Sequence, residues 1–140
     1  MAASVQQREQ ALLERLNAVS DPQQRLALLV EEACGRTPLK EEYKLEANKI
    51  EGCLSNLWFV ANQEEGLCLF KSDSDSLIVR AIAGLLCDLY SGLPPAEVLQ
   101  GDPGVLGRAG ITQHLTQNRR NGLGRVWEKI RAFAEQQVGP

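Results

Sequence analysis

At 140 residues, with 44% apolar and 24% charged side chains, the chain has the size and balance of one globular domain, able to bury a core without a disulfide or metal. A formal net charge of −3 lacks the basic excess of a phosphate-backbone binder, so no nucleic-acid partner is expected. The longest apolar stretch, Leu77 to Tyr90, is broken by Arg80 and Asp88 and too short for a bilayer, and residues 1–7 carry no export pattern; no membrane partner and a cytoplasmic location are expected.

Ala11, Leu12, Leu16 and Val19 recur at helical spacing, predicting a first amphipathic helix over about residues 7–19. Asp21 before Pro22 offers a cap followed by a proline at the first helical position, where its missing N–H costs nothing. A second helix is therefore expected over 22–34, with Leu26, Leu29, Val30 and Ala33 on one side and Gly35 as its stop. Thr37-Pro38-Leu39 reads as irregular linker.

Residues 45–50, 56–62 and 67–71 read as three short strands, with Glu64-Glu65-Gly66 as a tight turn between the last two. Ser72-Asp73-Ser74-Asp75-Ser76 then switches the pattern to helix, its side chains suited to capping and its carboxylates to the positive helix end. Ile78, Ile82, Leu85, Leu86 and Leu89, widened by Val79, Ala83 and Cys87, make the following helix the central one. Gly92-Leu93-Pro94-Pro95 ends it, 96–99 is a short turn, and a last helix over 118–134 faces inward through Leu123, Val126, Trp127, Ile130 and Phe133. The expected fold is α+β, one domain over 1–140, with helices packed on a small antiparallel sheet of about three strands.

Four cysteines without an export signal point to free thiols in a reducing compartment. No Cys-x-x-Cys pair exists and His114 is the only histidine, so no metal site is expected. Cys34 and Cys87 on helices and Cys68 on a strand read as core residues. Cys53 differs, because Gly52-Cys53-Leu54-Ser55 falls between the first two expected strands, where a chain reversal needs glycine's freedom. It reads as a loop-tip thiol, and activation must come from outside its sequence neighbours, since Glu51 raises and Lys49 lowers a nearby thiol pKa.

Three blocks then resemble the SufE family of sulfur-acceptor proteins: Gly52-Cys53-x-Ser55-x-Leu57-Trp58; Asp73-Ser74-Asp75-x-x-Ile78-Val79-Arg80; and Thr112-Gln113-His114-Leu115-Thr116 with Arg119 and Asn121-Gly122-Leu123. The likeness covers about residues 21–132, with the N-terminal helix over 1–20 matching more loosely. It implies a persulfide carrier that takes sulfane sulfur on Cys53 from a SufS/CsdA-like cysteine desulfurase, stimulates that enzyme, and delivers sulfur toward an iron-sulfur scaffold or another acceptor. No cofactor is implied for this chain, because the pyridoxal phosphate belongs to the desulfurase. The resemblance also implies an acceptor loop that retracts its cysteine into an apolar recess, with Gly52 as pivot and Leu57-Trp58 as floor. It places Ser55, Trp58, Asp73, Asp75, His114 and Arg119 around the loop and the partner-facing surface. Asp73 and Asp75 serve as helix caps or partner contacts, His114 as a structural hydrogen-bonding group, and Arg119 as a partner of Asp73, Asp75 or the desulfurase. Glu51 replaces a common proline, Leu54 a frequent glutamine, and Asn118-Arg119-Arg120 a frequent Ser-Arg-Ser. Two other functions compete: a non-reactive module that regulates a desulfurase, and an iron-sulfur scaffold, disfavoured because a scaffold needs several convergent ligands.

Overall fold

The computed structural model describes residues 4–51, 55–102 and 104–138, the His114 side chain excepted. Helix α1 spans Val5–Asn17, opened by a capping box in which Ser4 and Gln7 bond reciprocally. Helix α2 spans Pro22–Cys34, with Asp21 accepting from the Gln23 N–H and Pro22 at its first position, as the sequence predicts. Strands β1 (Leu57–Glu64) and β2 (Leu67–Ser74) form one antiparallel hairpin in the register Leu57 opposite Ser74 through Glu64 opposite Leu67. Its two-residue turn is left-handed at both Glu65 (φ 53°) and Gly66 (φ 80°), the handedness that matches strand twist. Helices α3 (Leu77–Tyr90), α4 (Pro95–Val98), α5 (Val105–Arg108) and α6 (Gln117–Val138) follow.

The α+β class holds, but the described residues contain two strands rather than three. Residues 45–50 form a 3₁₀ turn at Glu46–Asn48 and then one isolated bridge, Lys49 to Trp58. Glu, Ala and Asn have low strand propensity, Asn48 spends its side-chain amide on the Tyr43 carbonyl, and the apolar Leu45 is 54% exposed, so nothing drives a longer ladder.

Alternate residues Leu57, Phe59, Cys68 and Phe70 are buried. Phe70 stacks on Phe59 and meets Phe133 of α6 edge-on, which puts α6 on the same face as the central helix. On α3, Ala81 through Cys87 are all buried, because the helix packs against β2, α2 and α6 at once. The opposite face of the hairpin, carrying Trp58 and Asp73, is crossed by the segment between Leu39 and Ile50.

The N-terminal helix is pinned by a buried carboxylate: Glu9 accepts from the Tyr90 hydroxyl and the Asp102 N–H, each at 2.8 Å. Burial, and then this bond to Glu9, push the Tyr90 hydroxyl pKa up beyond its usual range. Burial likewise pushes the Cys87 thiol up to about 12. Both groups keep protons in the folded state that the unfolded chain releases from about pH 9 to 10, so their stabilisation is complete below that window, begins to fall there and goes on falling as pH rises toward the folded-state values. The thermal midpoint is expected to fall between pH ~8 and ~10.5, and the fall to be shallower in Tyr90→Phe; equal slopes in circular-dichroism melts would count against it.

Candidate functional site

The segment holding Cys53 is closed at its base by main-chain bonds. Ile50 donates from its N–H to the Leu57 carbonyl at 2.8 Å, beside the Lys49–Trp58 bridge. On the other side, the Asn56 carbonyl accepts from the Ser74 hydroxyl (2.7 Å) and the Asp75 N–H (3.2 Å), while the Asn56 amide donates to Asp75 at 2.6 Å. Ile50 and Asn56, which flank this segment in the sequence, are therefore both tied at the end of the hairpin, and together they form a neck. Gly52 and Cys53, with Leu54, lie outside the described residues; Ser55 is half-buried and Glu51 exposed.

Beside the neck lies a charged cluster built on Asp73. Its carboxylate, 4% exposed, accepts from the Ser74 N–H at 2.8 Å and the Leu39 N–H at 3.2 Å, and pairs with Arg80 at 3.3 Å and Lys44 at 3.4 Å. Trp58 stands directly opposite Asp73 in the ladder, and the Lys44 ammonium sits 5.4 Å from its ring centre. The bond to Glu41, and next the charge of Asp73, hold the Lys44 pKa above its usual value against the opposing effect of desolvation. The Trp58 Nε1–H is buried without a partner.

Several expectations change here. Neither aspartate caps α3, because β2 runs on through Ser74 and the Ser76 hydroxyl accepts from the Val79 N–H. Asp73 is a strand residue that pairs with two cations, and Asp75 is an exposed clasp on Asn56. Arg119 pairs with neither among the described residues; it lies in the first turn of α6, its N–H donating to the Thr116 hydroxyl. His114 ends the 3₁₀ turn Thr112–His114, and its side chain lies outside what is described. Lys44, Asn56 and Arg80 belong to the site although sequence reasoning assigned them no role. Arg80 and Asn56 do fall within the motif blocks, while nothing local marks Lys44.

The other cysteines also divide. Cys68 and Cys87 are buried and burial raises both thiol pKa values, whereas Cys34 is exposed, contrary to its reading as core. It is the last residue of α2, turned about 100° from the buried Ala33. A disulfide reagent is therefore expected to label Cys34 in the native protein and Cys68 and Cys87 only after unfolding. Peptide mapping of the native adducts reads this directly, and modification of Cys87 without unfolding would contradict it. Among the described residues, no three His, Cys, Asp or Glu side chains converge as metal ligands would, and no helix is long and apolar enough to cross a membrane.

An α+β domain of helices on one hairpin, with a tied neck on either side of the segment that contains Cys53, is the class that fold and site define. Residues 10–134 match the family described as SufE, Fe-S metabolism associated domain, and the chain belongs to that family. It is 30% identical over 123 residues to an uncharacterized SufE-like protein of Synechocystis, covering 88% of this chain and 77% of that one. It is 33% identical over 115 residues to SufE-like protein 1, chloroplastic/mitochondrial, of Arabidopsis thaliana, covering 81% of this chain but 31% of that longer protein. The solution structure of a hypothetical protein from Thermus thermophilus shares the fold, with a TM-score of 0.77, 23% identity, and coverage of 95% of this chain and 97% of that one.

Proposed function

We propose that this protein is a persulfide carrier for a PLP-dependent cysteine desulfurase, with Cys53 as the acceptor. The supporting observation is the coincidence of family and position: a chain of the family associated with Fe-S metabolism carries this cysteine in the sequence between Ile50 and Asn56, both tied at the end of its hairpin. In the step envisaged, the Cys53 thiolate attacks the terminal sulfur of the desulfurase persulfide. A new S–S bond forms on Cys53, the donor S–S bond breaks, and the desulfurase sulfur leaves as a thiolate with the electron pair. No net oxidant or reductant is consumed. The chain itself needs no cofactor for this exchange and is no stand-alone enzyme; its effect on the desulfurase comes from removing product sulfur. The carried sulfur goes on to iron-sulfur cluster assembly.

Asp73 holds Lys44 and Arg80 beside the neck, so this end of the molecule offers fixed charges against which a partner docks. Asp75, His114 and Arg119 are the further partner-facing candidates, and Ser55 and Trp58 frame the loop. A reducing, cytoplasmic setting suits a carrier whose working group is a thiol. Intact-protein mass spectrometry after incubation with cysteine and a SufS-like desulfurase is the test. A one-sulfur adduct that maps to Cys53 and is missing from Cys53→Ser is the expected result. No adduct, with a desulfurase that binds this chain and turns over cysteine, would leave a regulatory interaction module instead.

A further inference from the structure

Away from the loop neck, a cleft of about 500 Å³ runs along the outer edge of β2, between the segment after α2 and the central helix. Its volume falls in the range of small-molecule sites. Three cations, Arg36, Lys40 and Lys71, line it against one carboxylate, Asp88. Arg36 already holds Asp88 through Nε and Nη2, at 2.9 and 2.8 Å. Among the described residues Lys40 and Lys71 pair with no carboxylate, so the cleft carries a positive excess on a chain whose net charge is negative.

The polar groups of this cleft are also unfilled. Arg36 Nη1 and Ser72 Oγ are both buried with no hydrogen-bond partner, and a buried donor in that state is destabilising until something accepts from it. Ser72 Oγ stands beside the Cys87 sulfur without a well-formed bond to it. The strand edge adds a third donor. Cys68 and Phe70 turn their N–H groups outward, to the Leu93 carbonyl and the Ser91 hydroxyl, so by strand alternation the Ser72 N–H also faces out, toward the cleft. Arg36 is itself held in place by the absence of a side chain at Gly84, where a Cβ would stand 3.0 Å from Nη1. Leu39, Tyr43 and Phe70 supply apolar and aromatic wall.

We propose that this cleft binds a small organic anion: a carboxylate or phosphate group received by Ser72, Arg36 and the two lysines, with an apolar or aromatic body against Leu39 and Tyr43. A planar guanidinium and a strand-edge N–H suit a two-oxygen acceptor, and the lysines supply charge without fixed geometry. The site is separate from the Cys53 neck and stands whether or not that cysteine carries sulfur.

Titration of the ¹⁵N-labelled full chain with phenyl phosphate, at constant ionic strength, tests this. Saturable amide shifts at Ser72, Gly84 and Lys40 are expected. Lys40→Glu/Lys71→Glu, which changes two exposed side chains, is expected to weaken binding at least about tenfold without altering the thermal midpoint. Benzyl alcohol, the neutral counterpart, is expected to give no saturation there. Absence of saturable shifts at these residues, equal binding by the double variant, or equal binding of benzyl alcohol would each overturn the proposal.

Discussion

Cys53→Ser is expected to abolish acceleration of the desulfurase while leaving the two proteins able to bind. A serine hydroxyl is not ionised near neutral pH and does not attack sulfane sulfur, so the exchange has no acceptor. The substitution leaves untouched the bonds that close the neck, from Ile50 to Leu57 and from Asn56 to Ser74 and Asp75. Folding stability is therefore expected to stay within about 0.5 kcal/mol of wild type. Sulfide release under turnover conditions, read beside calorimetric binding, separates the two effects: a rate at the level of desulfurase alone, with affinity within about twofold, is the expected pair. Undiminished stimulation by the serine variant would transfer the function to surface contacts and make the chain a regulator.

Asp73→Ala is expected to be the most damaging single change to the scaffold of the site. It removes the acceptor of the Leu39 and Ser74 N–H groups, strands Arg80 and leaves Lys44 with Glu41 alone. Breaking a buried pair costs about 3–5 kcal/mol. Lys44 and Arg80 keep side-chain exposures of 20% and 25%, so they turn partly to water and the loss belongs near ~3 kcal/mol. For a chain of this length that lowers the thermal midpoint by roughly 10 °C. Asp73→Asn keeps an acceptor oxygen and loses the charge, so it falls between wild type and alanine. Urea unfolding with tryptophan fluorescence is a fitting readout, because Trp58 lies opposite Asp73. An alanine variant within about 0.5 kcal/mol of wild type would show that the cluster does not hold the neck.

The parts of this architecture that were legible in the sequence are those governed by neighbours in the chain. Asp21-Pro22 and Gly35 bound α2, Glu65-Gly66 makes the hairpin turn, and the apolar spacing of α3 identifies the central helix. Leu45 misled because apolarity is not burial, and a strand needs a partner across its whole length as well as suitable residues. The four-residue helix α5 has no signature in the sequence, because one turn leaves no periodicity to read. Asp73 was recognisable as a site residue through its motif, but its role was not. Its partners Leu39 and Lys44 lie on a distant segment that only the tertiary fold brings to β2. Likewise the exposure of Cys34 depends on where Ala33 packs.

The tied neck also acts as a leash. From Ile50, held to Leu57, only three residues lead to Cys53, and three fully extended residues span about 10 Å. In the proposed exchange, the Cys53 sulfur therefore works within that radius plus one side chain. Under the proposed function, a desulfurase persulfide is expected to come almost to the end of the hairpin before exchange begins. Reach becomes a filter on partners: a donor with its sulfur on a long arm can meet the radius from many poses, whereas one with a recessed sulfur must fit its surface closely around the neck. Lengthening the loop would widen the set of productive encounters and weaken the demand for a matched surface.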